Sequence, residues 1–196
     1  MPAPFFYAII PEMPLTPYHL GPASALGISF RKTLNIPALL VSSVILDVEP
    51  FIVLVLDLDR QLHGLTHNFL VGSGIALATA IMIYFFLNEI KPIMALFKLD
   101  QDYTFRKIFL SSLIGVYSHV IMDSFLYSDM KPFFPSAFNP IFYRIGMRPI
   151  ILFCLAGFVM AATVYFVNLI LGTGKIVVEK EKGDGHEQRD SQDRAN

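Results

Sequence analysis

Two histidines, His63 and His67, lie four residues apart at the start of a long apolar run. This run carries no charged residue between Phe69 and Leu87. Histidine is costly beside lipid and is a common metal ligand, so the position of the pair requires an explanation. Residues four apart share one face of a helix, which would let both imidazoles address one ligand.

Two further groups of polar side chains occur inside apolar stretches. Asp47 and Glu49 precede Pro50, and His119 lies four residues before Asp123. A charged side chain at the centre of a membrane helix costs at least about 2.5–3.5 kcal/mol on insertion scales, so paired acids there imply counter-charges or a metal. Residues two apart point to nearly opposite sides of an ideal helix, but a kink at 47–50 could turn both carboxylates toward one point.

The elements that carry these residues are predicted to be membrane helices. Hydrophobic residues make up 54% of the 196 residues, which suits a small integral membrane protein. Four apolar runs predict long spanning helices at residues 36–58, 68–87, 107–126 and 149–171. A shorter helix at 17–30 cannot cross a core of about 30 Å unaided. The predicted fold is therefore all-α, a polytopic membrane bundle with four long transmembrane helices plus a short N-terminal helix.

The segments outside these helices differ in composition. A polar loop is predicted at 88–107, and the aromatic- and proline-rich segment 127–148 suits the lipid headgroup region. Beyond Gly172 the chain becomes charged and loses its apolar periodicity. The predicted organisation is one membrane-embedded domain over residues 1–172 and a disordered tail over 173–196. The net charge of −1 and the lack of a basic cluster interleaved with aromatics argue against nucleic acid as a partner.

Basic residues are distributed unevenly between the two ends of the predicted helices. With four spans, the 88–107 loop and the tail share the side of Arg31 and Lys32, and this side carries more Lys and Arg than the other. The positive-inside rule makes it cytoplasmic, together with the C-terminus. The candidate residues then share a depth toward the extracytoplasmic side: His19, Asp47, Glu49, His63, His67, His119 and Asp123.

Histidines and carboxylates at one depth are the ligands of zinc, in a site of one or two ions. We predict all seven of these residues as metal ligands. Asp47 and Glu49 are also candidate catalytic residues, with Glu49 as general base or bridging ligand. Asp59, four residues before His63, is a reserve ligand. Thr66 could cap the next helix, orient a ligand, or do both.

The order of these motifs resembles the YdjM-like (DUF457) family of membrane-bound metal-dependent hydrolases, which has been grouped with zinc phospholipase C and P1 nuclease. The resemblance covers roughly residues 17 to 136. The motifs that carry it are Tyr18-His19-Leu20-Gly21, Leu46-Asp47-Val48-Glu49-Pro50, His63-Gly64-Leu65-Thr66-His67, and Tyr117-Ser118-His119 with Asp123. The family usually has an arginine before the glycine of the third motif. This chain lacks it, and Arg60 is a candidate substitute. The resemblance implies phosphoester hydrolysis at a metal bound by His and Asp.

The predicted function is hydrolysis of a phosphoester or a lipid-like ester by water that a bound metal activates, and the ligand types indicate zinc as that metal. Membrane lipids are the expected partners, and the 127–148 segment would admit a lipid-like substrate from the outer leaflet. Two alternatives remain open. The acids and histidines could form an ion or proton path, although no inverted repeat is evident. A metal could also hold the helices together without turnover, in a closed shell of four ligands.

Overall fold

The computed structural model describes residues 16–59, 64 and 66–172, and every regular element in these ranges is helical. Short 3-10 turns at Thr16–His19 and Ile45–Asp47 precede the first and third α-helices. The α-helices are α1 (Leu20–Ser29), α2 (Ile36–Ser42), α3 (Val48–Val55), α4 (Phe69–Phe85), α5 (Leu87–Leu96), α6 (Phe105–Leu126) and α7 (Met147–Ile170). The predicted all-α class is confirmed for this part of the chain. The predicted disordered tail at 173–196 lies outside it.

Three helical segments are long and apolar enough to cross a membrane: Ile36–Val55, Phe105–Leu126 and Met147–Ile170. Helices α4 and α5 make a fourth candidate only if this pair, which bends by 78°, counts as one span. The described chain thus has three to four candidate spans, which fits an integral membrane protein. Four separate long helices were predicted, and the bent pair is where the structure differs.

The polar loop predicted at 88–107 is wrong in its first half, because α5 occupies residues 87–96. Leu87, Ile90 and Met94 lie three or four residues apart and so share one face of the helix, which packs on the core around Ala80 and Ile108. The charges of this segment obscured that spacing in the sequence.

The segment Ile36–Val55 is interrupted between α2 and α3. Helix α2 ends at Ser42, the 3-10 turn ends at Asp47, and α3 begins at Val48. Pro50 is the third residue of α3, where its missing N–H would have no partner within the helix. The break therefore comes before the proline rather than at 47–50 as predicted, and it brings Asp47 to the interior of the bundle.

Helix α6 is the central element, and it packs against α2 and α4. Small residues allow α2 to approach it closely: Ser111 and Ser112 are fully buried, and a Cβ on Gly115 would lie 2.8 Å from the Leu39 carbonyl oxygen. Small residues have the same use between helices in membranes. This packing places the polar face of α6 beside the break between α2 and α3.

Helix α1 is held by α7 and also contacts α2. A Cβ on Gly157 of α7 would lie 2.6 Å from the Gly21 carbonyl carbon and 2.6 Å from the Pro22 nitrogen, so the two backbones touch. With ten residues, α1 is about 15 Å long and does not cross a membrane unaided, as the sequence predicts. Its close contact with α7 fixes the position of His19, the residue that precedes it.

Candidate metal centre

Four of the predicted ligands come together from three parts of the fold. Asp47, His67, His119 and Asp123 each offer one ligand atom, and these atoms all lie within 4.8 Å of one another. We call these four residues the metal group. Asp47 ends the 3-10 turn, His67 precedes α4, and the other two are neighbours on one face of α6.

The start of α4 fixes the backbone beside His67. Asn68 caps the helix, since its Oδ1 accepts a hydrogen bond from the Val71 N–H at 2.8 Å. The Phe69 N–H donates to the Pro132 carbonyl at 3.0 Å, which ties this point to the loop after α6. Asn68 is therefore the residue that caps α4, and Thr66 is left to the other use predicted for it, orienting a ligand.

His119 lies at the centre of the metal group and is fully buried. Its Nδ1 lies 2.8 Å from the Ser43 carbonyl oxygen, which can only accept, so Nδ1 carries the proton. In the neutral ring, Nε2 then presents a lone pair 3.0 Å from Asp123 Oδ2 and 3.5 Å from Asp47 Oδ1. A lone pair facing two carboxylates is repulsive, and either a second proton or a metal cation removes the repulsion.

Two atoms of the metal group, Asp47 Oδ2 and His119 Nε2, are buried without a hydrogen-bond partner among the described residues, and Asp123 Oδ1 has His19 Nε2 beside it at 3.3 Å. Buried polar atoms are nearly always satisfied, because leaving one without a partner costs free energy. A cation bound by the metal group would give such buried atoms a partner. Two imidazoles and two carboxylates are also a donor set that zinc accepts, and other divalent metals accept it as well. The residues present therefore fit a divalent metal ion.

His19 lies at the edge of the metal group. Its ring stacks on that of His119 with 4.0 Å between the centroids, and its Nε2 lies 3.3 Å from Asp123 Oδ1. The structure thus brings His19 to the site, as a neighbour of Asp123 rather than as one of the four grouped residues.

Glu49 lies behind His67, on the side of its Nδ1. Glu49 Oε2 is 3.5 Å from that nitrogen and accepts hydrogen bonds from the hydroxyl of Thr66 and from its backbone N–H, the latter at 3.2 Å. The Thr66 hydroxyl is itself 3.1 Å from Nδ1. Glu49 is outside the metal group, so the kink does not turn Asp47 and Glu49 to one point. Instead, the two carboxylates reach different parts of the site.

Some predicted residues are not part of this arrangement. Asp59, the reserve ligand, is exposed. His63 and Arg60 lie outside the described residues. The sequence analysis did not identify two groups that shape the site. One is the Ser43 carbonyl, which accepts a hydrogen bond from His119, and the other is Gly64, where a Cβ would collide with the Glu49 carboxylate. A backbone acceptor has no sequence signal, whereas a glycine between two histidines was a signal that could have been used.

Comparisons with protein-family models, with curated proteins and with solved structures find no match for this chain. The geometry of the metal group is therefore the basis for the function proposed next.

Proposed function

We propose that this protein is a membrane-embedded, metal-dependent hydrolase that acts on a phosphoester or a lipid-like ester. The observation that carries the proposal is the convergence of Asp47, His67, His119 and Asp123 within 4.8 Å. Three of the four are buried, and three lie in segments that are apolar enough to cross a membrane. Two acids at such a position are costly unless a cation neutralises them, and a divalent metal does so.

The residues of the chain have distinct roles in this proposal. The four members of the metal group hold the ion, and zinc suits their mixture of nitrogen and oxygen donors. A divalent metal supplies a Lewis acid and activates water near neutral pH, and water is the only co-substrate that hydrolysis needs. The Ser43 carbonyl orients His119, while Glu49 and Thr66 orient His67. These contacts favour a positioning role for Glu49 over the general base or bridging ligand predicted from the sequence.

The proposal extends to family and orientation. Membership of the YdjM-like family is supported by the fact that residues from three of its four motifs form the metal group and that the fourth motif supplies His19. A site toward the extracytoplasmic side, with a cytoplasmic C-terminus, is supported by the distribution of Lys and Arg along the sequence.

A metal that only staples the helices together is the second candidate, and one observation favours it. The metal group offers four ligand atoms, which is the number in a closed structural zinc site. A hydrolase keeps one position open for water or substrate, so one of the four residues would have to stay unbound or leave during turnover. The two candidates therefore differ in turnover and not in metal binding.

Metal analysis and hydrolysis assays on detergent-purified protein test both candidates. We expect wild type to contain at least one metal ion per chain and to hydrolyse a chromogenic phosphodiester or a long-chain phospholipid. His119→Ala should lower the metal content and abolish hydrolysis. Ser118→Ala is the matched control, because the Ser118 hydroxyl donates to the Gly115 carbonyl and lies outside the metal group.

The outcomes separate the candidates. Wild type without bound metal, even after incubation with Zn²⁺, would overturn both. Stoichiometric metal that is lost in His119→Ala, with no hydrolysis of either compound, would overturn the hydrolase and support the staple.

A further inference from the structure

A cavity of about 660 Å³ lies beside the metal group. It is bounded by the break between α2 and α3, by α3 itself, by Gly64 and Thr66, and by Ile75 of α4. Glu49 and Thr66 are the polar residues that line it, and its other described walls are apolar. Its volume lies within the range of small-molecule binding sites, which are likewise mostly apolar with a few polar groups.

The cavity opens at a surface that faces hydrocarbon if the chain spans a membrane. Val48 and Ile52 line it and are 49% and 45% exposed, so the cavity reaches the outside of the fold. Both belong to the candidate span Ile36–Val55. A hydrocarbon chain is the ligand that apolar walls at such a position accept.

The polar end of the cavity adjoins the metal group through shared side chains. Glu49 lines the cavity and lies 3.5 Å from His67 Nδ1, and the Thr66 hydroxyl lines it at 3.1 Å from the same nitrogen. Leu46 lines it as well and is followed directly by Asp47. The cavity therefore adjoins the metal group at two of its members, His67 and Asp47.

We propose that this cavity holds one acyl chain of a membrane lipid, with the lipid's ester linkage directed toward the metal group. The walls suit the chain, and the end at Glu49 and Thr66 marks where the apolar part of the lipid stops. This inference rests on the proposed function, because it makes the lipid the substrate of the same site. It narrows the substrate class to lipids with a long hydrocarbon chain.

Two neighbouring substitutions on α3 test the proposal. Ile52→Trp narrows the cavity, whereas Phe51→Trp places the same indole side chain at the neighbouring residue, which does not line the cavity and is 62% exposed. The first measurement is the amount of lipid that each purified protein retains, by native mass spectrometry. The second is hydrolysis of a long-chain phospholipid against a water-soluble phosphodiester. Metal content is measured in parallel and should equal that of wild type in both variants.

We expect wild type and Phe51→Trp to retain one lipid, and Ile52→Trp to retain about tenfold less, which corresponds to losing roughly two buried methylene groups. Phospholipid hydrolysis should fall by a similar factor in Ile52→Trp, while hydrolysis of the soluble phosphodiester stays at the wild-type rate.

Each contrary outcome has one meaning. Equal lipid retention by the two variants would overturn the cavity assignment. Loss of retention with an unchanged ratio of the two hydrolysis rates would show a bound lipid that is not the substrate, and would overturn the substrate assignment. If wild type binds no metal and hydrolyses neither compound, the proposed function fails, while lipid retention alone still decides whether the cavity holds a chain.

Discussion

Glu49 shows how a carboxylate can influence a metal through a neighbouring imidazole. It accepts two hydrogen bonds from Thr66 and faces Nδ1 of His67. The missing side chain of Gly64 gives it the room to do so. A carboxylate behind a ligating histidine fixes the ring and makes it a better donor, so Nε2 is the nitrogen that a metal would take from His67.

Glu49→Gln should weaken metal binding without abolishing it. We expect metal affinity to fall by about 10- to 100-fold, because the amide keeps the size of the side chain but loses the charge that polarises His67. Competition with a chelator of known affinity, in detergent solution, measures this change. The stoichiometry at saturating metal should stay that of wild type.

Asp59→Asn is the matched control for Glu49→Gln, since Asp59 is an exposed acid that was a reserve ligand in the sequence interpretation. It should bind metal as wild type does. A Glu49→Gln variant that takes up no metal at saturation would identify Glu49 as a ligand, and one that equals wild type would remove it from the site.

Members of the metal group could be predicted from the sequence because they are ionisable residues within or beside long apolar runs. Asp47, His119 and Asp123 are polar residues in apolar runs, where lipid or a core makes an unexplained charge costly. The division of labour could not be predicted in the same way. Asp47 belongs to the metal group, whereas Glu49 contacts the imidazole of His67. This difference depends on the backbone conformation at 43–47, which the side chains of the sequence do not indicate.

At the scale of the helices, the apolar runs predicted where the helices lie better than they predicted where the helices are interrupted. Helices α6 and α7 cover residues 105–126 and 147–170, close to the predicted runs. The break after α2 was predicted too far along the chain, at 47–50, and the bend between α4 and α5 was not predicted. Neither feature interrupts the apolar runs in the sequence, and α2 packs against α6, which lies far along the chain.

Gly157→Ala should separate α1 from α7. A Cβ there would lie 2.6 Å from backbone atoms of Gly21 and Pro22, which cannot rotate away as a side chain could. We expect the free energy of unfolding to fall by about 1–3 kcal/mol, as for other overpacked sites. The midpoint of thermal unfolding, followed with a thiol dye that reacts as buried Cys154 becomes exposed, measures the effect.

Gly74→Ala is the matched control, because it is also a helical glycine and its Cβ would meet nothing within 4 Å. Its stability should stay the same or rise by up to about 1 kcal/mol, since alanine favours the helix. Equal midpoints for the two variants would contradict the close contact of α1 with α7.

At the scale of the whole molecule, the exposed surface of the candidate spans is largely apolar. Leu152 and Val159 of α7 are well exposed, as are Phe51 and Val55 of α3. Such a surface is a liability in water and normal in lipid. The distribution of exposure therefore agrees with the hydropathy of the sequence and fits a chain that lies in a membrane.

Orientation in the membrane can be tested with cysteines, because Cys154 is the chain's only native one. In a Cys154→Ala background, we expect an impermeant maleimide to label Phe138→Cys in intact cells. Asp102→Cys should be labelled only after permeabilisation, since the basic residues around it indicate the cytoplasmic side. Both positions are exposed, so accessibility within the fold does not limit the reaction. The reverse pattern would contradict the proposed orientation.

The separation of the metal group along the chain has a consequence for biosynthesis. Asp47 is made some seventy residues before His119 and Asp123, so during translation it enters the bilayer without the partners that surround it later. If a metal binds, its uptake follows the insertion of α6. Helix α7 is made after α6, and it packs on α1, which directly follows His19. Metal loading would then be a late, post-insertional step in maturation.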